Sequence, residues 1–235
     1  MRPGVLLITA LSLWLIVTSC CASPGYTPPV PIPQGDPEMD SMLALLDCYP
    51  KEFRISQHII VKAGGKEYDF IGYLAKNGNG DFRALAFGEM GGKLFDFLEK
   101  NGQREVLVRP EGMPINLLSD GVMGDLSHVY KSVLHGAYPA RKEDNTISLV
   151  VRQKDGGFIE HSFSGGKERG MVSLEAVGGR IVRRAEYTDY RLFPGWDKPI
   201  PSRVILSNYR WHYDLRIESL TIDAGPMNEQ MLFSK

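Results

Sequence analysis

The residues in this chain that could carry chemistry are five histidines, three cysteines and a short run of arginines. Their spacing supports little catalysis. His58, His128, His135, His161 and His212 are scattered, without the close ligand pairs that a structural or catalytic zinc site needs. There is no Cys-x-x-Cys, no His-Glu-x-x-His and no Gly-x-Ser-x-Gly elbow. Gly165-Gly166-Lys167-Glu168 has the glycines and lysine of a phosphate loop, but the spacing before it and the hydroxyl after the lysine are wrong. Cys48 and His58 would form a thiol and base only if the thiol were activated. Nothing around Cys48 does that, so a buried structural cysteine is the reading. Arg180, Arg183 and Arg184 form a basic cluster on one strand, accounted for by a solvated edge strand whose charges deter pairing. No enzyme, metal or cofactor is expected from these residues.

One cysteine does have a chemical context. Met1-Arg2-Pro3-Gly4 is a short basic start, and the apolar run from Val5 to Val17 has the length of a secretory signal core. At about a dozen residues it is short for a bilayer core of about 30 Å. Val17-Thr18-Ser19-Cys20 then looks like a bacterial lipobox, with small residues before a cysteine that receives the lipid. The expected organisation is a signal peptide at 1–19, lipidated Cys20 with a Pro-rich tether at 20–36, and a single domain at 37–235. No Asp follows Cys20, which implies delivery to the periplasmic face of the outer membrane. Acyl chains on Cys20 would anchor the protein there, each buried methylene contributing about 0.8 kcal/mol. In that oxidising compartment Cys21 and Cys48 either pair or leave Cys48 free and buried.

The elements that must position anything further follow from periodicity. Ser23 to Gly35 is proline-rich and reads as an extended spacer. Asp36-Pro37 opens a helix, with Met39, Met42, Leu43 and Leu46 on one stripe, and Tyr49-Pro50 ends it. From Phe53 the period becomes two: Phe53, Ile55, Ile59 and Val61 oppose Arg54, Ser56 and His58. Glycine turns then mark five strands in meander order. Asp120 to Leu134 is a second helix, striped by Val122, Leu126, Val129, Tyr130 and Val133 and stopped at Gly136-Ala137-Tyr138-Pro139; Asp120 or Asp125 would favour its positive end. A second strand series runs from Thr146 to Ile222. About ten or eleven strands imply a strongly curved antiparallel sheet, an open or closed barrel. The fold class is mainly β (α+β). A net charge of −1 gives no reason to expect nucleic acid as a partner.

The apolar residues left over are concentrated in one hairpin and its neighbours. Phe82, Phe87, Leu94, Phe95, Phe97 and Leu98 join Phe53, Phe70 and Tyr73. They are either a core between sheet and helices or the lining of a cavity of the kind that holds acyl chains.

The combination resembles the LolA/LolB-like envelope lipoproteins. Ala86-Phe87-Gly88-Glu89-Met90-Gly91-Gly92-Lys93-Leu94-Phe95 is similar to that family's strand, Leu-Gly turn and strand. Leu118 to Tyr130 and Pro201-Ser202-Arg203-Val204-Ile205-Leu206 through Ile217 resemble its later segments, and the resemblance spans most of Phe53 to Phe233. Glu-Met-Gly stands here where the insertion factor has Pro-Leu-Gly. The resemblance implies an incomplete β-barrel with helices as a lid over an apolar cavity, and binding of acyl chains of lipids or lipoproteins. Phe70, Phe82, Phe87, Leu94, Phe95, Phe97, Val122, Leu126 and Val129 would line that cavity, and Met90 would be the loop residue that meets membrane or cargo. The alternative is a non-catalytic assembly lipoprotein that uses the same scaffold to bind an envelope protein partner.

Overall fold

The computed structural model of the protein describes residues 23–31, 46–88, 91–111, 113–131, 137–141, 147–164 and 170–225. Cys20, Cys21, Met90, and most of the helix expected from Asp36 lie outside them. Thirteen antiparallel strands form one sheet: β1 (Val30–Pro31), β2 (Phe53–Ala63), β3 (Lys66–Lys76), β4 (Phe82–Phe87), β5 (Lys93–Lys100), β6 (Gln103–Val108), β7 (Ala137–Arg141), β8 (Ile147–Arg152), β9 (Phe158–Ser164), β10 (Gly170–Val177), β11 (Arg180–Arg191), β12 (Ile200–Asn208) and β13 (Tyr213–Ala224). The spatial order is β1-β7-β8-β9-β10-β11-β12-β13-β2-β3-β4-β5-β6, so the two expected series are one meander joined where β13 pairs with β2.

The expected ten or eleven strands are therefore corrected to thirteen. The additions, β1 and β7, each contain a proline, Pro31 and Pro139, and they lie together at one margin of the sheet. Proline lacks the N–H of a ladder and is tolerated at such margins, while in a sequence it reads as a break. The tether is thereby not free over its whole length. Ile181 N donates to Pro24 O at 2.9 Å, Tyr26 N to Gly179 O at 2.9 Å, and the Tyr26 ring lies 5.9 Å from that of Phe158. Residues from Pro24 to Pro31 strap the sheet, so the expectation of an extended spacer does not hold for them.

The second helix also needs correction. It begins as a π-helical turn, Leu117–Val122, continues as α1, Met123–Tyr130, and ends where Lys131 takes extended backbone. Asn116 accepts from Leu117 N at 3.1 Å, an earlier start than the Asp120 that the stripe suggested. Two glycines lie in this segment because the sheet comes too close for a side chain. A Cβ on Gly121 would lie 3.2 Å from Tyr213 Oη, and one on Gly124 would lie 2.9 Å from Arg183 Nη2.

Inward residues alternate along each strand as the period of two requires. Phe53, Ile55, Gln57 and Ile59 are buried on β2, and Phe82, Ala84 and Ala86 on β4. These meet Leu118, Met123, Leu126, Val129 and Tyr130 of the helical segment in a single core. Polar contacts from that segment reach β10 (Ser173), β11 (Arg183), β2 (Gln57), β5 (Glu99) and β6 (Arg104). Laid flat, the nine strands from β10 to β6 would span about 38 Å at the usual strand spacing, whereas α1 is about 12 Å long. The sheet must curl around the helix. Among the described residues it does not close: β1 and β6 remain its margins.

Candidate functional site

The expected cavity residues divide between two places. On the inner face Phe70 and Phe95 meet edge to face at 5.5 Å, and Phe95 stacks on Phe97 at 4.8 Å. Phe82 and Phe97 are fully buried, and Leu126 and Val129 of α1 cover the same cluster. Phe70, Leu94 and Val122 are half-buried and pack against it, together with Val61, Met113, Leu117 and Trp211. The aromatic residues thus form a ladder that starts at a half-buried rim and ends in packed core.

Phe87 is placed differently. It lies on the outer face of β4, edge to face with Tyr73 at 5.8 Å. This corrects the expectation that it joins Phe82 and Phe95 inside. The reason is the strand period: Phe82, Ala84 and Ala86 point inward, so Phe87 points outward, and the irregular residue of this pairing is Leu94 on β5. With His58, Asp69, Ile71, Gly88 and Gly91, Phe87 lines an outer groove of about 670 Å³. Ile71 and Tyr73 are 36% and 46% exposed there.

A buried polar network was not anticipated from the sequence. Asp125 on α1 is fully buried and accepts from Arg183 Nε, from Tyr213 Oη, and from Asn208 Nδ2 at 2.9 Å. Arg183 also bonds Glu175, and burial that would lower its pKa is outweighed by those two carboxylates. The expectation of a solvated edge strand for Arg183 is overturned, because β11 is flanked by β10 and β12 and Arg183 faces inward. Next to it His128 Nε2 shares a hydrogen bond with Ser173 Oγ at 2.8 Å, and burial pushes its pKa down to about 3. Tyr130 Oη donates to Gln57 Oε1 at 2.5 Å, and Lys131 pairs with Glu99. A signal was present: Gln57, Ser173, Glu175, Arg183 and Asn208 all fall on the inward register of their strands, where polar residues need partners.

Cys48 and His58 do not meet. Cys48 is a free buried thiol whose pKa burial pushes up to about 12, while His58 faces outward and bonds Asp69 at 2.5 Å. Among the described residues no group of histidine, cysteine and carboxylate side chains has metal-binding geometry.

No family model matches the chain, and no curated protein does. Solved structures do. A LolA superfamily protein from Nitrosomonas europaea superposes with a TM-score of 0.54 at 12% identity, covering 83% of this chain and 96% of that one. A DUF1329 family protein from Desulfovibrio piger gives 0.43 at 9% identity over 84% and 95% of the two chains. A domain described as an outer membrane lipoprotein-sorting protein, from Vibrio parahaemolyticus, gives 0.44 at 8% over 82% and 94%. The chain has the fold of the first of these structures.

Proposed function

We propose that the protein is an outer-membrane-anchored lipoprotein, facing the periplasm, that binds acyl chains of lipids or lipoproteins and takes part in their transfer or insertion. It is a binding protein and not an enzyme. The observation that carries this reading is the aromatic ladder Phe70–Phe95–Phe97, which runs from a half-buried rim into the core packed between curled sheet and α1. An acyl chain entering at Phe70 and Leu94 would follow it inward as Leu126 and Val129 move aside. The likeness of fold and the family resemblance in the sequence agree with that role. Cys20 supplies the anchor, and Met90 is the residue of the β4–β5 turn that meets membrane or cargo.

The test is lipid content and uptake. Full-length protein extracted in mild detergent should carry acyl lipids by mass spectrometry, and should bind a fluorescent fatty acid in a manner weakened by Leu94→Asp at the rim. Absence of both lipid and uptake rejects the reading. A second reading, binding of an envelope protein partner, is favoured by the exposed Ile71 and Tyr73 on the outer face. A photo-crosslinking residue at Tyr73 would capture one defined envelope protein if it holds, and lipid alone if it does not.

A further inference from the structure

A second cavity, of about 440 Å³, lies between α1 and the inner faces of β9, β10 and β11. It is polar, in contrast to the aromatic ladder. Arg104, Lys131, Arg183 and Arg210 line it, with Asp120 and Glu175 as its only lining carboxylates among the described residues. Two polar groups in its wall have no hydrogen-bond partner among the described residues. These are Ser127 Oγ on α1 and both ring nitrogens of His161 on β9. His161 is only 6% exposed. Leaving a buried polar group unpaired costs about 1–3 kcal/mol, so two such groups facing one cavity mark a place where something else supplies the partners.

The charges indicate what that is. Arg183 is committed to Asp125 and Glu175. Arg104 and Lys131 share a single carboxylate, Glu99; Arg104 also donates Nη1 to Ser119 O and Lys131 Nζ lies 4.5 Å from the centre of the Phe82 ring, which leaves Nη2 of Arg104 and two ammonium protons of Lys131 as donor capacity. Arg210 is exposed in the β12–β13 turn, its guanidinium 5.9 Å from the Trp211 ring, with no carboxylate partner among the described residues. Five groups, Arg104, Lys131, Arg210, Ser127 and His161, can therefore donate into a space with few acceptors. Fork-shaped guanidinium groups and an ammonium around a common centre suit a group with three or more acceptor oxygens. The volume exceeds that of such a group alone and leaves room for a substituent on it.

We propose that this cavity binds a phosphate ester, with Arg210, Arg104 and Lys131 holding the phosphoryl oxygens and His161 and Ser127 completing the shell. The site is separate from the aromatic ladder and does not depend on acyl-chain binding. Burial holds the pKa of His161 at about 4, so the imidazole is neutral and donates from one nitrogen. A bound dianion beside it would favour the charged ring and raise that value.

The experiment is a titration of full-length protein in mild detergent, with histidine side chains labelled with ¹⁵N and observed by NMR. The probes are inorganic phosphate, glycerol 3-phosphate and dihexanoyl phosphatidylglycerol. The expected result is a saturable shift of the His161 ring resonances with at least one probe, accompanied by a rise in the His161 pKa. Arg210→Gln, an exposed turn substitution that leaves the core intact, should weaken that probe by about tenfold, as loss of one charge-assisted hydrogen bond does. Response to glycerol 3-phosphate and not to the lipid assigns the site to soluble esters. Response to the lipid alone assigns it to a lipid headgroup. The proposal is overturned if no probe shifts His161, or if Arg210→Gln, folded, binds that probe as the parent does.

Discussion

At the scale of single residues, the buried histidines set how the protein responds to acid. His128 and His161 have folded pKa values pushed by burial to about 3 and about 4, below the ordinary 6.5 of the unfolded chain. His128 faces Arg183 and Glu175, and His161 lies close enough to His128 and Glu160 for their charges to act on it. Between those values the unfolded state binds protons that the folded state refuses, so stability falls as pH drops below about 6.5; the His161 share of the loss ends near pH 4 and the His128 share continues to about pH 3. Urea midpoints measured from pH 8 to pH 4 should decline through that window, and His161→Gln should flatten the decline. A midpoint independent of pH over the range would show that both rings protonate freely when folded. The Asp125–Arg183 pair is the other residue-level determinant. Asp125→Asn leaves a guanidinium buried with one carboxylate in place of two, and should cost about 3–5 kcal/mol in urea unfolding. Adding Arg183→Leu should recover part of that loss, because the penalty lies in the unpaired charge. A double mutant whose losses merely add would show that the two groups are not coupled.

At the scale of elements, the helix is shaped by what it must accommodate. Glycine inside a helix ordinarily costs about 1 kcal/mol relative to alanine, so Gly124→Ala on an exposed helix would stabilise. Here the new Cβ would lie 2.9 Å from Arg183 Nη2, and that guanidinium is pinned between Asp125 and Glu175. The expected outcome is a loss of about 1–2 kcal/mol in chemical denaturation, opposite in sign to the helix propensity. A gain in stability would show that Arg183 yields easily. The same helix shows what the sequence made legible. The period-two runs located the strands from β2 to β6 and from β8 to β13, and the stripe Val122, Leu126, Val129 and Tyr130 located the helix and its buried face. What escaped was whatever depends on contacts between distant segments. Nothing local marks Pro139 as lying within a marginal strand that pairs β1, or Arg183 as meeting a carboxylate 58 residues away. The face of Phe87 was legible: the period of two that turns Phe82, Ala84 and Ala86 inward puts Phe87 on the opposite face, and grouping it with Phe82 as an adjacent apolar residue passed over that alternation.

At the scale of the whole molecule, the question is which part can move to admit a chain. The sheet is joined through its middle by β13 pairing with β2 over eleven residue pairs, from Tyr213–Ala63 to Ala224–Phe53. Opening it there would break the core on both sides. The helix is different. At eight residues α1 is too short to be stable alone, and side-chain contacts hold it in place. Those contacts form two groups: the Asp125–Arg183 network toward β11, and the Tyr130–Gln57 and Lys131–Glu99 bonds toward β2 and β5. The ladder Phe70–Phe95–Phe97 lies on the β3 and β5 side, so an entering chain needs only the second group to release while the first acts as the pivot. Native-state hydrogen exchange should therefore show the α1 amides opening at lower free energy than those of β12, β13 and β2. A long-chain fatty acid should raise protection at α1 and leave the central strands unchanged. Gln57→Leu, which removes the acceptor of Tyr130 without shortening the side chain greatly, should make α1 open more readily while the exchange of β13 stays the same. If α1 exchanges only with global unfolding and fatty acid leaves its protection unchanged, the aromatic ladder is packing and no more, and the acyl-chain reading fails at the element on which it depends.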